Sequence, residues 1–305
     1  MTDVLAVRLG PLGLKNPVIT ASGTFGYGVE YADVMDIARL GGISVKGISL
    51  EPRQGNAPPR VCETPAGMLN SIGLANIGYD AFVGRVMPQL RALGATVIVN
   101  TYATSIADFA ELARRFDRVD GVAALEVNIS CPNVKAGGMH FGVRPESAAE
   151  VTRAVREQTR LPVIVKLSPE AFDLPSIAAA VAAAGADAIS MINTIRGMSI
   201  DVETRRPRLG ANMGGLSGPA IRPLAVRLVY EVHRANPSLP IIGMGGIACL
   251  RDALEFLLAG ASAIQIGTAS FSNPRASIEL VEEMERHFSA RGLTPAELVG
   301  KVQIN

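Results

Sequence analysis

Short β-branched, largely apolar runs recur along the chain at regular intervals. They lie at 17–22 (PVITAS), 42–49 (GISVKGIS), 96–102 (TVIVNTY), 124–130 (ALEVNIS), 162–168 (PVIVKLS), 187–194 (DAISMINT), 240–247 (PIIGMGGI) and 263–270 (AIQIGTAS). Most lack a clean apolar–polar alternation, as expected of strands covered on both faces in a parallel sheet. Helical patterns lie between them, as at 107–116, 147–159, 220–235 and 249–260, the last closing on Gly260 as a helix C-terminus should. Eight strands alternating with helices predict an α/β fold, a (β/α)8 TIM barrel, with residues 1–305 as a single domain. A doubly wound open sheet is the alternative. Eight regular units with no halfway break in composition argue against it.

Two connections are too long to be mere links. One runs from Leu50 to about Asp80 and is rich in Pro and Gly; the other runs from Ile195 to about Pro219 and carries Arg196, Arg205, Arg206 and Arg208. Both follow a strand, which places them on the C-terminal face, where barrel active sites form.

Composition narrows the partners. A net charge of +1 offers no electrostatic case for nucleic acid or a membrane surface. Three scattered cysteines, Cys62, Cys131 and Cys249, suit neither a disulfide framework nor a C-x-x-C metal site, and imply a reducing compartment. The N-terminus does not read as a signal peptide, and no apolar run reaches the length of a membrane span, so the default location is the cytoplasm.

The chemistry should lie in polar residues at strand ends. These are Ser22, Lys46, Asn100, Asn128, Ser130, Cys131, Lys166, Ser168, Asn193 and Thr194. Any one of them can satisfy a local backbone group, but many converging on one face cannot all be so explained. Lys46 and Lys166 interrupt apolar strands, and a bound anion would account for both. GMGGI (243–247) and IGTAS (266–270) each lead into a helix, and the loops after strands seven and eight are the usual phosphate site of this fold. Glycines needed only for tight turns are the alternative there. No G-x-G-x-x-G opens a strand–helix unit, and there is no Walker A motif or zinc-type spacing. A phosphorylated cofactor beside lysines leaves FMN or a sugar phosphate. Cys131 is a candidate acid/base, against the alternative of a buried apolar residue. The loop from Asn133 to Phe141, with Gly137 and Gly138, reads as a lid or as an ordinary loop. Cys62 and Cys249 read as structural; His233 and His287 read as surface residues.

Several blocks resemble the dihydroorotate dehydrogenases: ASGTFGYG (21–28), VKGISLEPRQGNAPPRVCETPAGMLNSIGLANIG (45–78), EVNISCPNVKAGG (126–138), PVIVKLSP (162–169), INTIRGM (192–198), GGLSGPAI (214–221), IIGMGGI (241–247) and QIGTAS (265–270). They occur in order and span nearly the whole barrel. The resemblance implies an FMN-dependent oxidoreductase of pyrimidine biosynthesis that oxidises dihydroorotate to orotate. It implies Cys131 as the base for the C5 proton, with hydride passing from C6 to flavin N5. Lys46, Asn70, Ser71, Ile72, Gly73, Leu74, Asn128, Asn193 and Thr194 match substrate-binding positions. Ser22, Lys46, Gly47, Asn100, Asn128, Lys166, Ile192, Gly218, Gly245, Gly246, Gly267 and Thr268 match flavin-binding positions. No metal site is implied in this chain.

Cys131 in place of a serine base, and no N-terminal membrane element, resemble class 1 rather than class 2. EVNISCPNVKAGG and VKGISLEPR resemble type B, whose catalytic subunit implies a partner carrying FAD and a 2Fe-2S cluster in a heterotetramer of two plus two, passing electrons to NAD. A dihydropyrimidine dehydrogenase-like flavoenzyme and the fumarate-linked class 1A enzyme are the alternatives. One departure is Ala103, where the resemblance leads us to expect a glycine nearby.

Overall fold

The computed structural model describes residues 4–130 and 141–304. Eight parallel strands close into a barrel: β1 (Val18–Thr20), β2 (Gly42–Ser44), β3 (Val97–Thr101), β4 (Val122–Asn128), β5 (Val163–Lys166), β6 (Ala188–Met191), β7 (Ile241–Met244) and β8 (Ala263–Ile266). Each pairs with its neighbours in chain order, and β8 returns to β1 through Gln265 opposite Ile19. Closure excludes the open doubly wound sheet. Each strand falls within or overlaps a run predicted from sequence. Gly260, at φ 121°, ends the helix Leu250–Ala259 as expected.

The strands are buried on both faces for two different reasons. Outward residues such as Ile43, Val99, Leu125, Val165 and Ile189 pack into the large apolar shell shared with the helices. Inward residues form layers drawn from alternate strands, as the tilt of such a barrel requires. Ile19, Ile98, Ile164 and Ile242 come from the odd strands, and Ala124, Ala188 and Ala263 from the even ones; together they form a separate apolar cluster. Above them, even strands contribute Ser44, Glu126, Ser190 and Gln265. Then come Asn100 on β3, Lys166 on β5 and Met244 on β7. The interior thus changes from hydrocarbon to polar toward the strands' C-terminal ends.

An antiparallel hairpin, Val7–Leu9 with Leu12–Leu14, closes the apolar end. Its side chains alternate: Val7, Leu9, Leu12 and Leu14 are buried in the inner cluster, while Arg8 and Gly13 are exposed.

The two long connections are less irregular than their sequences suggest. Ile195–Gly197, Gly214–Ser217, Gly67–Asn70 and Val61–Thr64 form one antiparallel sheet in that order, so the segments after β2 and β6 pair with each other. Gly215 lies opposite Asn70. Ala103 has no left-handed backbone and is buried, so that position requires no glycine. Among the described residues, no helix is long and apolar enough to cross a membrane.

Leu9 is 1% exposed within the hairpin plug. Leu9→Ala should cost about 2–5 kcal/mol in urea unfolding. A loss below about 1 kcal/mol would mean that the hairpin does not seal the barrel.

Candidate active site

A cavity of ≈ 650 Å³ opens at the C-terminal ends of the strands and is lined from all sides of the barrel. From β1 and β2 come Ser22, Lys46 and Gly47; from β3, Asn100; from β4, Asn128 and Ser130; from β5, Lys166; and after β6, Ile192, Asn193 and Thr194. The long connections add Asn70, Ser71, Ile72, Gly73 and Leu74 on one side and Gly218 on another. Gly245, Gly246, Gly267 and Thr268 complete the wall after β7 and β8. Every described residue singled out from the sequence as a binding position lies on this one surface.

Beneath the cavity floor lies Glu126, with 0% of its surface exposed. Its Oε1 accepts from Ser190 Oγ at 2.7 Å and Gln265 Nε2 at 2.9 Å; its Oε2 accepts from Ser44 Oγ and Asn100 Nδ2, each at 2.7 Å. Burial pushes this carboxyl up, but the Lys166 charge and the hydrogen bonds outweigh it and hold the group below the usual carboxylate range. Glu126 therefore supplies counter-charge to buried Lys166, which the sequence reading had left to a bound anion. Both amides spend their nitrogens on the carboxylate. Asn100 Oδ1 and Gln265 Oε1 are buried without a hydrogen-bond partner, in side chains that line the cavity.

Lys46 differs from Lys166. It follows β2, with its backbone N–H bonded to Gly26 O. Burial, then the nearby Arg60 guanidinium, lowers its pKa. Among the described residues its ammonium has no ion-pair partner. A half-buried cation facing a cavity is an anion site by elementary electrostatics.

A second polar chain runs across the mouth. Ser130 Oγ donates to Asn128 Oδ1 at 2.5 Å and accepts from Asn193 Nδ2 at 2.5 Å. Asn193 Oδ1 in turn accepts the Thr194 N–H at 2.8 Å. These bonds occupy Asn128's oxygen and leave its Nδ2 as a donor. Asn70 Nδ2 donates to Gly215 O at 3.3 Å, joining the two long connections. The 70–74 turn is held from behind: Asn56 Nδ2 donates to Ser71 O, and Asn76 Nδ2 to Leu74 O. Ser71 Oγ is a third buried, unpartnered oxygen in a cavity-lining side chain.

The glycines after β7 have a conformational cause. Gly245 and Gly246 have φ of 133° and 75°, and a Cβ on Gly246 would stand 2.7 Å from Gly218 O. The tight-turn reading thus holds for these two, whatever they bind. At Gly267 a Cβ would meet only ordinary contacts, 3.5 Å from Ala21 Cβ. Gly47 is necessary for another reason: a Cβ there would lie 2.8 Å from Asn100 Oδ1.

Cys131 and residues 133–140 of the lid reading lie outside the described residues; Phe141 is buried against Phe109. His233 and His287 lie at the surface, each partly covered by its neighbours. His233 packs where Gly260 and Gly300 leave room for its ring. Sequence reading passed over Glu126 and Gln265 and did not include Ser130 among the binding residues. An acidic residue inside the run ALEVNIS was the available signal for Glu126, because a buried carboxylate in a strand must be paired.

Comparison with known proteins locates relatives along the whole chain. The family profile described as dihydroorotate dehydrogenase matches residues 4–288. A protein of Desulforamulus reducens named dihydroorotate dehydrogenase B (NAD(+)), catalytic subunit, is 54% identical over 301 residues, covering 98% of this chain and 99% of that protein. Proteins of the same name from Desulforudis audaxviator and Trichlorobacter lovleyi are 54% and 51% identical over 296 and 304 residues. They cover 97% and 99% of this chain, and 96% and 100% of their own lengths.

Proposed function

The chain belongs to the dihydroorotate dehydrogenase family, and from that premise we propose that it oxidises (S)-dihydroorotate to orotate in pyrimidine biosynthesis as the FMN-binding catalytic subunit of a two-subunit enzyme. One observation carries the reading. A single cavity gathers Lys46, which has no ion-pair partner among the described residues, with Asn70, Asn128, Asn193, Thr194 and the unpartnered amide oxygens of Asn100 and Gln265, and with glycine loops at its β7–β8 side.

The residues present fit FMN. Asn100 Oδ1 and Gln265 Oε1 can accept from ring N–H groups, and Lys46 and Lys166 can stabilise negative charge on a reduced ring. Gly218, Gly245, Gly246, Gly267 and Thr268 would hold the phosphate, with Ser22, Gly47, Asn128 and Ile192 as further contacts. Bound there, FMN would supply the two-electron acceptor for the substrate's C6 hydride. Residues 1–305 would form one cofactor-binding domain.

The chain's own groups would do the rest. Asn70, Asn128 and Asn193 offer both donors and acceptors, as a cyclic imide requires, and Thr194 adds a hydroxyl. Lys46 would attract the substrate carboxylate, and the turn of Ser71, Ile72, Gly73 and Leu74 would complete its pocket. Cys131 would take the C5 proton as a thiolate. The Asn128–Ser130–Asn193 chain fixes the residue immediately before it in sequence.

Electrons must then leave. The chain has no dinucleotide fingerprint, and its three cysteines cannot supply an ordinary four-ligand iron–sulfur site. The names of the relatives, with NAD(+) and "catalytic subunit", support a partner. We assign that partner FAD and a 2Fe-2S cluster, in a heterotetramer of two plus two, with the cytoplasm as the compartment.

Stopped-flow mixing with dihydroorotate under anaerobic conditions tests the base. Cys131→Ala should retain FMN but lose nearly all flavin reduction; Cys131→Ser should be slow at neutral pH and faster at high pH, because a hydroxyl is the poorer base. Wild-type reduction rates in the alanine variant would remove Cys131 from the mechanism, and preference for dihydrouracil would point to the dihydropyrimidine dehydrogenase alternative.

Steady-state turnover of the isolated chain tests the acceptor. Dye reduction should far outrun NAD reduction until the partner is added. Equal turnover with NAD would contradict the partner, and efficient fumarate reduction would indicate the class 1A chemistry instead.

A further inference from the structure

The Glu126 carboxylate does not line the cavity, yet it contacts or faces three groups that do: Asn100, Gln265 and Lys166. A carboxylate is acceptor-only, with about four lone-pair directions. Here four donors fill them: two hydroxyls and two amide nitrogens. Neither amide can turn over without aiming an oxygen at a carboxylate oxygen. Asn100 Oδ1 and Gln265 Oε1 are thereby kept away from Glu126 and left unpartnered. The absence of a side chain at Gly47 leaves the space that Asn100 Oδ1 occupies.

We propose that Glu126 is a positioning residue for the flavin. Through the Asn100 and Gln265 amides and the charge of Lys166, it sets which polar atoms the cavity floor presents to the bound ring, and so tunes the ring's reduction potential. The proposal rests on FMN occupying this cavity. Glutamine at this position would bring an NH2 group among four donors, so at least one neighbour would have to reverse. Reversal of Asn100 or Gln265 would put an N–H where a bound ring would otherwise meet an acceptor. Lys166 would also lose its buried counter-charge. A role confined to holding the barrel together predicts neither change at the flavin.

The test uses apoprotein reconstituted with FMN, and compares wild type with Glu126→Gln for FMN affinity by fluorescence quenching and for midpoint potential by dye equilibration. The variant should bind FMN about tenfold more weakly, the scale of leaving one buried hydrogen-bonding group unsatisfied. Its midpoint potential should be displaced from the wild-type value. The potential decides: a folded variant with the wild-type potential overturns the proposal, even if its stability or affinity has dropped. Should Glu126→Gln not fold, Glu126→Gln/Lys166→Met removes both charges together and leaves no lone buried ion. Its potential should differ from that of Lys166→Met alone, because the amides are still released, and equality would overturn the proposal. Failure of wild-type apoprotein to bind FMN would instead sink the cofactor reading on which this rests.

Discussion

A buried carboxylate in the middle of a barrel is costly, since taking one ion out of water costs several kcal/mol even after the protein relaxes. Glu126 offsets that cost with four hydrogen bonds and the nearby charge of Lys166. The arrangement has a direction. All four donors point inward at one acceptor, so the atoms they turn outward are fixed as well. The upper layer of the barrel, formed by Asn100, Lys166 and Met244, is in effect the outer surface of this network.

The lower half of the barrel meets a different demand. Isoleucines on the odd strands and alanines on the even ones fill it without polar atoms, and the N-terminal hairpin closes it. That end holds hydrocarbon and the opposite end the polar groups, a division that suits this fold because strand C-termini and the loops after them converge on one face. The two long connections extend the same logic. By pairing with each other they give Asn70 and the 70–74 turn a backing sheet, so binding groups on loops are held nearly as firmly as those on strands.

Much of this was legible in the chain. Eight β-branched runs gave the barrel, and their polar ends gave the groups that gather at its mouth. The missing part has a physical explanation. In ALEVNIS apolar Leu125, Val127 and Ile129 alternate with polar Glu126, Asn128 and Ser130, a pattern that ordinarily marks a solvent-facing strand face, whereas here that face turns into the barrel interior. Lys166 pointed to an anion, but only the closed barrel, which brings the Glu126 carboxylate of β4 within reach of the Lys166 charge on β5, shows that the protein supplies one itself. The sheet between the long connections escaped notice because its strands are three or four residues long and glycine-rich. Gly245 and Gly246 read as phosphate glycines; the structure adds that their own backbone already requires them.

We propose that this cavity holds flavin mononucleotide above a floor organised by Glu126. Heat denaturation of the purified protein, followed by separation and mass analysis of the supernatant, tests it most directly. FMN should be released without covalent attachment, at about one per chain, the stoichiometry a single cavity allows. FAD, or no flavin from a well-folded sample that also fails to take up added FMN, would contradict it.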